Sequence, residues 1–122
     1  MAMTEMEMSK HFVRVYRLLI GAAENRQTVT YGQVAAIMDL PPQGSHMGRV
    51  TGQVLGAIVL REQACGRPML SAVAVSSTNG MPGSGFFGLA EEQDLLSPAA
   101  SKDERTAFWK AELERVYEEW SR

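Results

Sequence analysis

Two helix-forming segments separated by a proline pair constrain the fold more than any other feature of this sequence. Thr30 is followed three residues later by Gln33, a capping-box pattern that predicts the start of a helix. Pro41-Pro42 ends that helix, because proline cannot continue the hydrogen bonding of a helix interior. A further helical pattern begins at Ser45 or His46. Two helices joined by such a short turn are typical of a helix-turn-helix.

The flanking segments extend this pair to an α+β pattern. Ser9 is a candidate N-cap, and apolar residues at helical spacing predict an amphipathic helix over residues 10–24. Residues 69–76 are rich in valine and alanine and are predicted to form a buried strand. The Asn79-Gly80 pair predicts a tight turn, and residues 81–88 are expected to be a glycine-rich loop.

A closing helix completes the predicted architecture. Ser101 and Glu104 form a second capping box ahead of an amphipathic segment. We therefore predict an α+β fold, a winged helix-turn-helix with an additional C-terminal helix. Residues 10–90 would form the winged-helix domain, and residues 101–122 would pack on the same domain.

The second helix of the pair has an unusual composition. Gly48, Gly52 and Gly56 recur every four residues, although each glycine costs about 1 kcal/mol relative to alanine in a helix interior. Such a face predicts close approach to a neighbouring helix or to a backbone lying in a groove. On this helix, Arg49 and Gln53 are the side chains suited to reading base edges. A helix that makes base-specific contacts normally offers several such side chains, so this one fits a minor groove or a protein surface better.

Composition and charge exclude several classes of protein. No apolar run approaches the roughly 18 residues of a membrane span, and the N-terminal segment lacks the apolar core of a secretory signal. The single Cys65 excludes an internal disulfide and a cysteine-based zinc site, and His11 and His46 have no companion ligands. We expect a cytoplasmic protein with no metal, no cofactor and no membrane partner.

Charge is distributed unevenly along the chain. The formal net charge is −2, yet residues 10–90 hold seven basic and three acidic side chains, whereas residues 91–122 hold nine acidic and five basic ones. A mildly basic body is compatible with weak binding to nucleic acid, because affinity grows with the number of phosphates neutralised. A solvated acidic helix beside an ordinary body is the alternative interpretation.

Three short segments resemble a known family. TYGQVA (residues 30–35), RVTGQVL (49–55) and VSSTNG (75–80) are similar to the C-terminal winged-helix domain of O6-alkylguanine-DNA alkyltransferases and alkyltransferase-like proteins. The resemblance covers roughly residues 10–90. It implies that Tyr31, followed by Gly32, crowds the phosphate of a target nucleotide. It also implies that Arg49, followed three residues later by Gly52, takes the vacated place in the base stack.

The sequence departs from that family at its reactive centre. Where the family has proline-cysteine-histidine-arginine before the strand turn, counting back from Gly80 gives Ser71-Ala72-Val73-Ala74. A thiol that accepts an alkyl group and a histidine that activates it are both missing from this stretch. Cys65 lies several residues too early. We therefore expect no alkyl transfer and no enzymatic activity.

Two functions follow as hypotheses. The first is a non-catalytic protein that binds double-stranded DNA through the recognition helix, a wing over residues 79–87 and basic side chains. The second is a protein-interaction adaptor or inhibitor on the same scaffold, for example in phage defence or restriction, using the recognition helix or the acidic C-terminal helix. The candidate DNA-binding residues are Tyr31, Arg49, Gly52, Gln53, Asn79, Ser84, Arg14 and Arg17, with Arg26 as a further possible phosphate contact.

Overall fold

The computed structural model describes residues 3–122, which form a small mixed α+β fold dominated by helices. Five α-helices and a 3-10 helix surround one two-stranded parallel sheet in this part of the chain. The elements in chain order are α1 (Glu5–Glu24), β1 (Val29–Thr30), α2 (Tyr31–Ile37), α3 (Ser45–Ala64), the 3-10 helix (Leu70–Val73), β2 (Ala74–Val75), α4 (Ser84–Glu92) and α5 (Lys102–Trp120).

Side-chain caps determine where three of the helices begin. The capping boxes predicted at Thr30 and Ser101 are both formed, so the predicted starts of α2 and α5 are confirmed. The first helix begins earlier than residue 10, because the Thr4 hydroxyl accepts a hydrogen bond from the Glu7 backbone N–H and caps a helix that starts at Glu5. Ser9 therefore lies inside α1.

Half of the strand predicted over residues 69–76 is a 3-10 helix, from Leu70 to Val73. Only Ala74 and Val75 pair, in parallel, with the two residues of β1. The backbone groups that a longer ladder would use are bonded to α5 instead. Trp109 Nε1 donates to the Ala72 carbonyl at 2.8 Å, and the buried Glu112 carboxylate accepts the Met69 N–H at 2.9 Å. Contacts with a distant helix thus override the local preference of a valine-rich segment.

The hairpin expected for a wing is not formed. The turn at Asn79-Gly80 is present, with Gly80 at φ 70° and its N–H donating to the Ser76 carbonyl. No strand follows this turn anywhere in residues 3–122. The expected glycine-rich loop is wrong from Ser84 onward, where α4 begins, because Phe86 and Phe87 are buried on this helix and anchor it to the core.

The core is continuous, and α1, α3 and α5 pack around the 3-10 helix. A buried charge sits within it: the Glu62 carboxylate accepts hydrogen bonds from the Tyr16 hydroxyl and the Arg67 guanidinium, which lies over the Trp120 ring. None of the helices in residues 3–122 combines the length and apolar character that crossing a membrane requires.

Candidate functional site

A groove of about 520 Å³ lies between α3 and α4, and we refer to it as the α3–α4 groove. Its size falls within the range of ligand-binding clefts. Apolar side chains from both helices form much of its walls, namely Met47, Leu55, Phe86 and Leu89. Tyr31 and Ser71 contribute from α2 and the 3-10 helix.

Glycines from both helices border the groove. Gly48, Gly52 and Gly56 come from α3, and Gly85 and Gly88 come from α4. A Cβ atom built at any of the five positions would meet nothing within 4 Å. The expected close approach of a neighbouring helix is therefore wrong for the described part of this chain. The space beside these glycines is open to another molecule. Packing within the protein therefore does not offset their conformational cost.

Few polar side chains line the groove. Thr51 is only 4% exposed, and its Oγ1 has no hydrogen-bond partner in residues 3–122. Ser71 is buried beside the groove, at the position that the resemblance aligns with the start of the family's reactive motif. Glu92 is the acidic side chain of the lining, which contains neither a histidine nor a cysteine.

Tyr31 joins α2 to the loop that precedes α4. Its hydroxyl oxygen accepts the Gly83 backbone N–H at 2.7 Å. A Cβ atom on Gly83 would lie 3.6 Å from that oxygen, so the ring packs closely against this glycine. Burial raises the pKa of Tyr31 above its ordinary value, and the hydrogen bond from Gly83 opposes that rise. The phenol thus already has a structural role at one end of the groove.

Arg49 and Gln53 lie on the exposed face of α3. The Arg49 guanidinium is 3.3 Å from His46 Nδ1 and has no carboxylate within ion-pair distance in residues 3–122. It is three residues before Gly52, and residues at this spacing are neighbours on a helix surface. Gln53 instead borders a second cavity beside the start of α1, which is lined in part by Glu5.

The remaining predicted residues have different surroundings. Arg14 pairs with Asp39 at 3.3 Å, and Arg17 is exposed on α1. Asn79 Oδ1 accepts the Met81 N–H at 3.0 Å and so stabilises its own turn. Ser84 is exposed at the first position of α4, next to Gly85 of the groove.

The structure therefore brings Tyr31 and Gly52 to the lining of one groove. The other six predicted residues lie outside that lining, namely Arg49, Gln53, Asn79, Ser84, Arg14 and Arg17. Sequence reasoning missed Thr51 and the α4 wall. Glycine disfavours a helix interior, so Gly85 and Gly88 gave no local signal for α4. No group of three potential metal-ligating side chains occurs together in the described residues.

Comparison with protein-family models, curated proteins and solved structures finds no significant match to this chain.

Proposed function

We propose that this protein is a non-catalytic DNA-binding protein that presents the glycine face of α3 to the minor groove of duplex DNA. In this proposal α2 and α3 are the helix-turn-helix pair, and the loop from Ser76 to Gly83 takes the place of a hairpin wing. The observation that carries the proposal is the open, glycine-lined face of α3 beside Arg49.

The glycine face suits a narrow groove. A helix with ordinary side chains is about 10–12 Å wide, whereas the minor groove of B-form DNA is about 6 Å wide. Replacing side chains by hydrogen atoms at Gly48, Gly52 and Gly56 brings the helix backbone nearer to whatever lies against it. No heavy atom of the protein lies within 4 Å of a Cβ atom added at any of these positions.

The charge of Arg49 supports the same proposal. Six of the nine arginines form ion pairs with carboxylates, which reduces the charge they offer to a phosphate backbone. Arg49 has no such partner among the described residues and is exposed on α3. Arginine is well suited to insertion into a minor groove or to bonding with a phosphate.

The binding experiment is a fluorescence-anisotropy titration of labelled duplex DNA, repeated between about 50 and 200 mM salt. Arg49→Ala is expected to weaken binding and to reduce the magnitude of the log–log salt slope by about 0.9 if Arg49 neutralises one phosphate. Arg61→Ala is the matched control, because Arg61 is also exposed on α3 and outside the groove lining. Absence of binding to duplex and single-stranded DNA at about 50 mM salt would overturn the proposal.

A protein-interaction adaptor is the second candidate, and the apolar walls of the α3–α4 groove favour it. Four large apolar side chains line the groove, and α5 adds a surface rich in acidic residues. In this case Gly52→Leu should abolish binding of a purified partner protein while Arg49→Ala and salt have small effects. Gly52→Leu should weaken binding of either ligand, so a large effect of Arg49→Ala and of salt would identify DNA as the ligand.

A further inference from the structure

The α4 wall of the α3–α4 groove has no part in the proposed DNA contact, which uses the glycine face of α3. Gly88 lies in the interior of α4, and Gly85 lies three residues before it. A Cβ atom at either position would meet nothing within 4 Å, so packing within the protein gives no reason for glycine on this wall. The space between the two helices is therefore a feature that the DNA contact leaves unexplained.

The size of the groove fits a small molecule. Fourteen residues line its volume of about 520 Å³. Clefts that bind small ligands typically occupy about 300–1,000 Å³, whereas a stable protein interface uses about 20–30 residues on each side. The groove by itself thus has the dimensions of a small-molecule site and is smaller than a complete interface with a macromolecule.

The walls of the groove favour an aromatic body for that molecule. Leu55 and Phe86 are buried, Met47 and Leu89 are half-buried, and Tyr31 lines the same space. Aromatic rings and the methionine thioether both make favourable contacts with a further aromatic ring, in addition to the gain from apolar burial. An aromatic body therefore matches these walls better than a polar one.

The charge of the lining comes from one carboxylate. Glu92, the last residue of α4, is exposed at the groove and forms no ion pair within residues 3–122. The neighbouring Glu91, in contrast, pairs with Arg105 at 3.2 Å. In the described part of the chain, the lining contains neither a lysine, an arginine nor a histidine. A ligand with one positive charge would therefore complement this lining, whereas an anion would be repelled by it.

We propose that the α3–α4 groove binds a small aromatic cation. Its aromatic body lies against Met47, Phe86 and Leu89, in the space that the glycines of both helices leave open, and its cationic group lies beside Glu92. This site is additional to the proposed DNA contact and does not depend on it.

The binding test uses three naphthalene probes that share one aromatic body and differ in charge. They are naphthylmethylammonium, the neutral naphthylmethanol and the anion naphthoate. A titration at neutral pH, followed by the backbone amide signals in NMR, measures the three affinities. The cation is expected to bind about three- to fivefold more tightly than the alcohol, because an ion pair with an exposed carboxylate is weak, and naphthoate should bind least. The amide signals of Gly52, Gly56, Gly85 and Gly88 should shift most.

A substitution at Glu92 tests the role of charge. Glu92→Gln is expected to remove the preference for the cation while leaving the affinity for the alcohol unchanged. Glu24→Gln is the matched control, because Glu24 is likewise the exposed last residue of a helix, α1, and lies outside the groove lining. It should retain the preference for the cation.

A substitution at Gly88 tests the role of space. Gly88→Leu places a side chain in the groove from the α4 wall and should weaken binding of the cation and the alcohol by at least about tenfold. Gly21→Leu is its control, because a Cβ atom at Gly21 of α1 also enters open space, outside the groove. Its affinities should equal those of the wild-type protein. The amide spectra of both variants, away from the substituted residue, verify that each is folded.

Three results would overturn the proposal. The first is that no probe shifts the amides of the groove in the wild-type protein. The second is equal affinity for the three probes, and the third is tightest binding of naphthoate, which Arg49 on α3 outside the lining would favour. None of these results bears on the DNA titration, and a failure to bind DNA would leave the cation site unaffected.

Discussion

Tyr31 holds the start of α2 against the loop before α4. Its hydroxyl group has two possible roles, a hydrogen bond within the fold and a contact with a DNA phosphate. The observed bond uses the hydroxyl oxygen as an acceptor for the Gly83 N–H at 2.7 Å, whereas a phosphate contact would use the O–H as a donor. The sequence resemblance predicts Tyr31 as a DNA contact but does not specify this partner, which lies 52 residues away in the chain.

Tyr31→Phe is expected to lower the free energy of unfolding by about 1 kcal/mol, because the partly buried Gly83 N–H loses its acceptor. DNA affinity should fall slightly, with the salt slope unchanged, since no phosphate contact is lost. Urea denaturation and the salt-dependent anisotropy titration measure the two quantities. A fall in DNA affinity of about tenfold would instead show that the hydroxyl contacts a phosphate.

Gly52 provides a prediction in which stability and binding change in opposite directions. Gly52→Ala should raise the free energy of unfolding by about 1 kcal/mol, because alanine is the better helix former and its methyl group enters open space. The same methyl group should weaken DNA binding by holding the ligand away from the backbone of α3.

Gly21→Ala is the matched control for this prediction. Gly21 also lies within a helix, α1, and a Cβ atom there would also meet nothing within 4 Å. It should give a similar gain in stability with no change in DNA affinity. Equal affinity of the Gly52 and Gly21 variants would contradict contact between the glycine face and DNA.

At the scale of elements, local hydrogen bonding explains which parts of the fold the sequence predicted. The starts of α2 and α5 depend on capping boxes formed by residues three apart, so Thr30 and Ser101 identified them. Helix α4 has no cap and contains two glycines, and it is held by the burial of Phe86 and Phe87, with Phe86 also facing the Phe108 ring of α5. Such tertiary contacts have no local pattern, so the second wall of the groove was not predictable.

A further prediction concerns Glu112 of α5 and the 3-10 helix. The Glu112 carboxylate accepts the N–H of Met69, the residue that precedes the 3-10 helix. Glu112→Ala leaves that buried N–H without an acceptor and should lower the free energy of unfolding by about 2 kcal/mol. Glu112→Gln retains an acceptor oxygen and should cost clearly less. Urea denaturation of the two variants makes the comparison, and equal losses would mean that the carboxylate charge, rather than the Met69 bond, is what stabilises this region.

For the whole molecule, the charge asymmetry of the sequence is reduced by folding. Arg26, in the turn after α1, pairs with Glu114 of α5 at 3.0 Å and so joins the basic segment to the acidic one, whereas Arg105 and Glu91 pair at 3.2 Å within the acidic segment. The acidic C-terminal segment is therefore a packed element and not a detached acidic arm. Arg26 is correspondingly less available to a phosphate than its position in the basic segment suggests.

Folding also raises the pKa of all three tyrosines, so we expect the free energy of unfolding to depend on pH in the alkaline range. The pKa values of Tyr16, Tyr31 and Tyr117 are all raised, and burial is the largest cause in each case. Nearby carboxylates contribute at Tyr16 and Tyr117. Since the unfolded chain releases these protons near pH 10 and the folded chain releases them at higher pH, the tyrosines stabilise the fold fully below about pH 10. That contribution is lost as the pH rises through the folded-state values.

Urea denaturation between pH 8 and pH 11 should thus show a free energy of unfolding that declines above about pH 10. Arg67 should not contribute to this decline, because its hydrogen bond with Glu62 raises its already high pKa and keeps the ion pair charged. Tyr31→Phe has one fewer tyrosine with a raised pKa, so its decline should be shallower than that of the wild-type protein. Parallel profiles for the two proteins would show that Tyr31 titrates alike in the folded and unfolded chains, which would contradict the buried environment assigned to it at the end of the groove.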